Sequence, residues 1–68
     1  MEFIVIKIEN TNLHNSWNFN VNEWEILELL PENWWDGTKT TKILEGMRVH
    51  ETRHTEDENF QYFIIRII

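Results

Sequence analysis

The segment His50-Glu51-Thr52-Arg53-His54 matches H-E-x-x-H, the spacing that zinc metalloproteases use. In those enzymes the segment is helical, so both histidines share one face and the glutamate acts as general base. Here turn-forming residues and an apolar run follow at 55–68, which favours a strand of a hairpin. On a strand, Glu51 and Arg53 point away from the face that carries the histidines. The segment therefore predicts a strand rather than a metal-binding helix.

The residues around this segment also argue against zinc. A catalytic zinc needs a third protein ligand, but no histidine follows His54 and the nearest acids fall in the predicted turn. Arg53 places a cation between the two histidines, which opposes binding of a dication. We predict no metal and no cofactor.

Other catalytic patterns are equally weak. The chain contains no cysteine, so a conventional nucleophile would have to be Ser16, its sole serine, or a threonine. Gly37 and Gly46 are its glycines, too few for a phosphate-binding loop. Nothing in the sequence indicates that a carboxylate is buried with a raised pKa. The sequence predicts a protein that is not an enzyme.

The charge balance points to a class of partner. Twelve Asp and Glu against six Lys and Arg give a formal charge of −6. Such a chain is repelled by nucleic acid and anionic membranes and attracted to basic surfaces. Lys39 and Lys42 form an isolated basic pair, which argues against direct nucleic-acid binding. The alternative is that the acidity serves solubility alone.

Two acidic clusters supply most of the predicted partner-binding residues. The first is a helical stripe of Glu25, Glu28 and Glu32, extended by Asp36. The second is a turn of Glu56, Asp57 and Glu58, with Glu51 expected close by on the preceding strand. Like charges on neighbouring helical positions cost a few tenths of a kcal/mol. The use of acidic residues without basic ones in these clusters suggests a surface that binds a basic partner.

Tryptophan is also abundant, with four in 68 residues. Trp17 alternates inward on a strand and is expected in the core. Adjacent Trp34 and Trp35 cannot easily both point into one small core, so one of them, or Trp24, is expected to be partly exposed for a partner. Trp35 completes the predicted partner-binding set.

The patterning predicts five elements in the order β-β-α-β-β. Residues 3–8 are an apolar strand, and residues 16–22 alternate Trp17, Phe19 and Val21 inward with asparagines outward. A helix over 23–30 begins at an Asn22 cap, which Glu25 completes as a capping box, and stops near Pro31.

The last third predicts a second hairpin, with strands near 42–54 and 60–68 and a bulge or bend at Gly46. The result is a small α+β domain over residues 1–68, a mostly antiparallel four-stranded sheet with one short helix on one face. The first and last strands are the most apolar and are placed centrally.

The final strand predicts how the sheet associates. It is apolar on both sides, yet one short helix covers a single sheet face, so the other face needs a partner. A homodimer is the expected solution, and a tightly curled sheet is the alternative. The opening residues resemble neither a signal peptide nor a membrane span, which predicts a cytoplasmic protein.

Small, acidic, cysteine-free proteins of this make-up resemble phage-encoded inhibitors of host DNA-binding proteins, in size and composition. The resemblance implies a DNA mimic that blocks the nucleic-acid-binding surface of a basic host protein, such as a nucleoid protein, RNA polymerase or a defence nuclease. The alternative is an acidic dimeric adaptor or antitoxin-like interaction protein that acts through an apolar interface.

Overall fold

A computed structural model describes residues 1–30 and 43–68 of the chain. The elements in chain order are β1 (Glu2–Glu9), β2 (Asn12–Asn22), α1 (Ile26–Leu29), a helical turn α2 at 43–46, β3 (Thr52–Glu56) and β4 (Phe60–Arg66). The protein is the small α+β domain that the sequence predicts.

The strands form one sheet in the order β2-β1-β4-β3. Every neighbouring pair is antiparallel, and both predicted hairpins are present. The two most apolar strands, β1 and β4, lie in the centre, as predicted. A central strand has neighbours on both edges, so it satisfies its backbone hydrogen bonds and exposes the least apolar surface.

One face of the sheet, the helix face, carries the core. Alternation along the strands and the pairing register place Phe3, Val5, Val21, Tyr62 and Ile64 on this side. They form a single buried cluster with Ile26 and Leu30 around α1, and with Leu44 and Met47 around α2. Both helical segments therefore pack on the same side of the sheet.

The other side, the isoleucine face, comprises Ile4, Ile6, Ile8, Phe63 and Ile65. The register places these side chains together on the two central strands. Each is partly exposed, and none belongs to the buried cluster.

The segment before β3 differs from its prediction. The sequence predicts a strand near 42–54 with a bulge at Gly46, but residues 43–46 are helical and β3 begins at Thr52. Leu44 and Met47 explain the difference, since their spacing of three residues brings both side chains to one side of a helical turn. Both are almost fully buried against the sheet.

The first hairpin also departs from simple alternation. Ile8 pairs with Ser16 while Glu9 pairs with Asn12, so residues 13–15 form a bulge in β2. Leu13 in this bulge is 67% exposed. No helix in the described part of the chain is long and apolar enough to cross a bilayer.

Candidate functional site

The first acidic cluster begins at the capping box that leads into α1. The Asn22 side-chain oxygen accepts hydrogen bonds from the backbone N–H groups of Trp24 and Glu25, both at 2.9 Å. The Glu25 carboxylate accepts the Asn22 N–H in return, at 3.2 Å. These reciprocal hydrogen bonds are those of the predicted capping box. They close a turn at residues 23–25, however, and α1 begins at Ile26 rather than at residue 23 as predicted. One oxygen of Glu25 therefore serves the fold.

Glu25 and Glu28 are both exposed on α1. We refer to these two residues as the helix cluster. The other predicted members of this stripe, Glu32 and Asp36, lie outside the described residues, as do Trp34 and Trp35.

A neighbouring carboxylate has an internal partner. Glu23 lies 2.9 Å from the ammonium group of Met1. This hydrogen bond to the ammonium, with a second from the Glu23 backbone, lowers the pKa of the Glu23 carboxyl. Glu23 thus ties the start of β1 to the turn before α1.

The second acidic cluster lies in the turn between β3 and β4, where Asp57 organises the backbone. Its carboxylate accepts hydrogen bonds from the N–H groups of Asn59 and Phe60, both at 2.8 Å. Its second oxygen accepts the Tyr62 hydroxyl at 3.3 Å. Glu56 and Glu58, on either side, project into solvent. Within the turn, Asp57 holds the structure and its neighbours display charge.

These contacts act on the pKa of both partners. Desolvation is the largest influence on Asp57 and acts to raise its pKa. The hydrogen bonds from Asn59, Phe60 and Tyr62, together with the positive charge of Lys7, outweigh it and lower the pKa. Burial raises the pKa of the Tyr62 hydroxyl, and the charge of Asp57 raises it further. Asp57 is therefore held in its ionised form.

Glu9 joins this cluster, although the sequence does not single it out. Its two carboxylate oxygens accept hydrogen bonds from Asn15 at 3.1 Å and Thr11 at 3.0 Å, and these bonds lower its pKa. The adjacent Asn10 reaches across to the other hairpin. Its side-chain amide donates to the carbonyls of Asp57 and Glu58, at 3.2 and 3.3 Å.

The Asn10 backbone N–H also donates to the Asn59 carbonyl, at 2.8 Å. Asn10 thereby joins the two hairpin turns at one end of the sheet. We refer to the acids there, Glu9, Glu56, Asp57 and Glu58, as the hairpin cluster.

Glu51 does not belong to this cluster, contrary to expectation. It lies just before β3, where its carbonyl accepts the Arg66 N–H at 3.2 Å. This position is the end of β3 opposite to Glu56. Its carboxylate forms an ion pair with Arg53 at 2.7 Å. A strand separates its ends by about 3.3 Å per residue, so proximity in sequence does not bring Glu51 to the turn.

The two clusters therefore occupy opposite ends of the sheet. β1 starts beside Asn22, where the chain turns towards α1, and ends at Glu9 in the hairpin cluster. Its eight residues span about 25 Å. Among residues 1–30 and 43–68, the two clusters form separate acidic ends rather than one acidic surface.

Two of the cations, Lys7 and Arg66, contact an aromatic ring and backbone carbonyls rather than the exposed carboxylates. The Lys7 ammonium lies over the Phe60 ring, 4.1 Å from its centroid. Arg66 donates to the backbone carbonyls of Met47 and Ile68. Within residues 1–30 and 43–68, the ion pairs are Met1–Glu23 and Arg53–Glu51. Neither includes a residue of the helix cluster or the hairpin cluster.

The two histidines of the H-E-x-x-H segment lie in different conformations. His50 is in a turn with a positive φ of 71°, whereas His54 lies on β3. The His54 ring packs on Phe63, with centroids 4.7 Å apart. The prediction that this segment is not a helix is confirmed. In the described part of the chain, no three histidine or acidic residues are grouped as a metal site requires.

The sequence predicts Trp17 in the core, but Trp17 is 43% exposed. Burial falls along β2 from Val21 through Phe19 to Trp17, because the helical segments pack over the Val21 end and β2 is an edge strand. Trp17 instead packs edge-on against Phe60, with ring centroids 6.0 Å apart. Trp24 is 71% exposed beside the helix cluster, as one of the alternatives for the tryptophans predicts.

Comparison with known proteins adds no relative. No family model, curated protein or solved structure matches this chain.

Proposed function

We propose that this chain is a non-enzymatic binding protein whose carboxylates occupy the nucleic-acid-binding surface of a basic protein. In this proposal it is a phage-type inhibitor that mimics DNA charge in the host bacterial cytoplasm. Nucleoid proteins, RNA polymerase and defence nucleases are the candidate partners. The observation that carries the proposal is the arrangement of exposed carboxylates, which the described ion pairs leave unused.

The spacing of the clusters suits a surface that binds DNA phosphates. About 25 Å separates the two ends of β1. That length corresponds to about seven base-pair steps of B-DNA at 3.4 Å each. A basic groove could therefore contact the helix cluster and the hairpin cluster together, in place of two separated groups of phosphates.

Both clusters are held in defined positions before binding. Asn10 and Asp57 hold the hairpin cluster with hydrogen bonds to the backbone. The capping box holds the turn before Glu28. A preorganised surface loses less conformational entropy on binding, so more of the electrostatic attraction contributes to affinity.

The experiment is capture of partners from bacterial lysate on the tagged chain, with washes at low and high salt and elution by duplex DNA. The proposal predicts a basic DNA-binding protein that high salt weakens and DNA displaces. If duplex DNA releases none of the captured proteins, the proposal is overturned.

A matched variant isolates the charge. The triple variant Glu28→Gln, Glu56→Gln, Glu58→Gln removes three carboxylates that take no part in a described side-chain hydrogen bond. The substitutions keep the shape of the side chains, so circular dichroism should show an unchanged fold. We expect affinity for the captured partner to fall at least tenfold at low salt and to converge with wild type at high salt. Equal affinity at low salt would show that the clusters are solvated surfaces without a binding role.

The isoleucine face and the exposed Trp24 favour a second candidate function. An adaptor or antitoxin-like protein would bind through these apolar groups, and its affinity would be nearly independent of salt. In that case Trp24→Ala would weaken capture of the partner, whereas the triple glutamine variant would not.

A further inference from the structure

The isoleucine face has the composition of a protein interface. Its centre is apolar, with Ile6 paired to Phe63 across the two middle strands. The edge strands add rows of polar residues on the same side, which are Ser16, Asn18, Asn20 and Asn22 on β2 and Thr52, His54 and Glu56 on β3. An apolar centre with a polar rim is the usual anatomy of a specific interface.

We propose that this face binds the isoleucine face of a second copy of the chain, so that two sheets pack face to face as a homodimer. The inference rests on the sheet and not on the acidic clusters, so it is independent of the proposed function. Each helix face would then lie on the outside of a sandwich with the two sheets about 10 Å apart.

The distribution of charge favours a second copy as the occupant. Two chains that each carry a formal charge of −6 repel unless they meet where carboxylates are few. The described carboxylates on this side are Glu2 and Glu56, at opposite ends of the sheet. A basic partner would be drawn to the acidic ends instead. Self-association through this side keeps most of the described carboxylates away from the interface.

The available area is sufficient for a small dimer. Four strands about 4.8 Å apart and about seven residues long give a plan area on the order of 400 Å². If the faces are treated as flat, two facing copies bury on the order of 800 Å² in total. Specific interfaces begin near a total of about 1,000 Å². A pair of isoleucine faces reaches this range, because side chains that project from the sheet have more surface than the flat area counts.

Sedimentation equilibrium of the full chain at micromolar concentration tests the proposal. We expect wild type to sediment as two copies and Ile6→Lys as one, because a buried lysine would face its counterpart across the interface. Val49→Lys is the matched control, since Val49 is 49% exposed in the turn before β3. It should sediment as wild type. A monomeric wild type, or a dimer unchanged by Ile6→Lys in a folded variant, overturns the proposal.

Spin labels supply a readout that replaces no apolar residue of the face, and the absence of native cysteine makes single labelling simple. Asn20→Cys and Thr52→Cys place labels on the isoleucine side of opposite edge strands. Face-to-face packing predicts distances between copies below about 30 Å for both labels. Pairing through the free edge of β2 would give a short distance for Asn20→Cys and a long one for Thr52→Cys. That result, or the absence of dipolar coupling, would refute face-to-face association.

Discussion

Asp57 illustrates a carboxylate that serves the fold although its sequence context predicts a binding role. It accepts two backbone hydrogen bonds and one from Tyr62, and so closes the turn between β3 and β4. Its neighbours Glu56 and Glu58 have similar chemistry but point to solvent. The sequence identifies all three as acidic turn residues, and side-chain direction separates their roles.

Removing this carboxylate should therefore destabilise the protein. We expect Asp57→Ala to lower the free energy of unfolding by about 1–2 kcal/mol, because two backbone donors and the Tyr62 hydroxyl lose their acceptor. Glu58→Ala, one residue away and exposed, should change it by less than about 0.5 kcal/mol. Urea unfolding followed by tryptophan fluorescence measures both. Equal effects of the two substitutions would contradict the role assigned to Asp57.

The lowered pKa of Asp57 also predicts a dependence of stability on pH. The pKa of an Asp in the unfolded chain is about 3.9. Because the folded pKa lies lower, the folded state binds fewer protons, and the contribution of Asp57 is complete above the unfolded pKa. It is lost as the pH falls through the folded pKa.

We expect the free energy of unfolding to decrease below about pH 4, and to decrease less steeply in Asp57→Asn. Glu9 and Glu23, whose pKa values are also lowered, leave a residual slope. Urea unfolding between about pH 2.5 and 6 measures this slope. Parallel curves for wild type and Asp57→Asn would contradict the prediction.

His50 is constrained by its backbone conformation. Its φ of 71° lies in the left-handed region, where residues other than glycine are strained. We expect His50→Gly to be at least as stable as wild type, and His50→Val to lose about 1–2 kcal/mol. Thermal unfolding with and without chelator measures both effects. A melting temperature that falls in His50→Gly or on adding chelator would contradict this interpretation.

At the scale of elements, the capping box is the clearest local device in the chain. Asn22→Ala should lower the free energy of unfolding by about 1 kcal/mol, because the Trp24 and Glu25 N–H groups lose their acceptor. Asn20→Ala is the matched control on the same strand, with no described side-chain bond. Equal loss in both variants, by urea unfolding, would argue against a capping role.

The elements also show where local pattern predicts structure and where it does not. The β1–β2 hairpin and the capping box follow from alternation and from the spacing of Asn22 and Glu25, which are local signals. The helical turn at 43–46 is not predictable from local pattern because its signal is short, consisting of Leu44 and Met47 three residues apart. The predicted burial of Trp17 is wrong because alternation indicates the side of a strand but not which end of the strand the helices cover.

At the scale of the whole molecule, the proposed dimer links stability to concentration. If two copies share the isoleucine face, a tenfold rise in protein concentration adds about 1.4 kcal/mol to the stability of the dimer. We expect the melting temperature to rise by about 3–5 °C per tenfold increase in wild type. The rise should be absent in Ile6→Lys. A melting temperature of wild type that is independent of concentration would contradict the dimer.

The sequence by itself determined the fold class, the antiparallel hairpins, the central places of β1 and β4, and the acidity. These depend on residue type and on periods of two or three to four residues, which are local properties. Tertiary structure decided which carboxylates share an end of the sheet. It grouped Glu9 with Glu56 and Glu58 through Asn10, and it separated Glu51 from them by the length of β3. Strand pairing sets these distances, and pairing joins residues far apart in the chain.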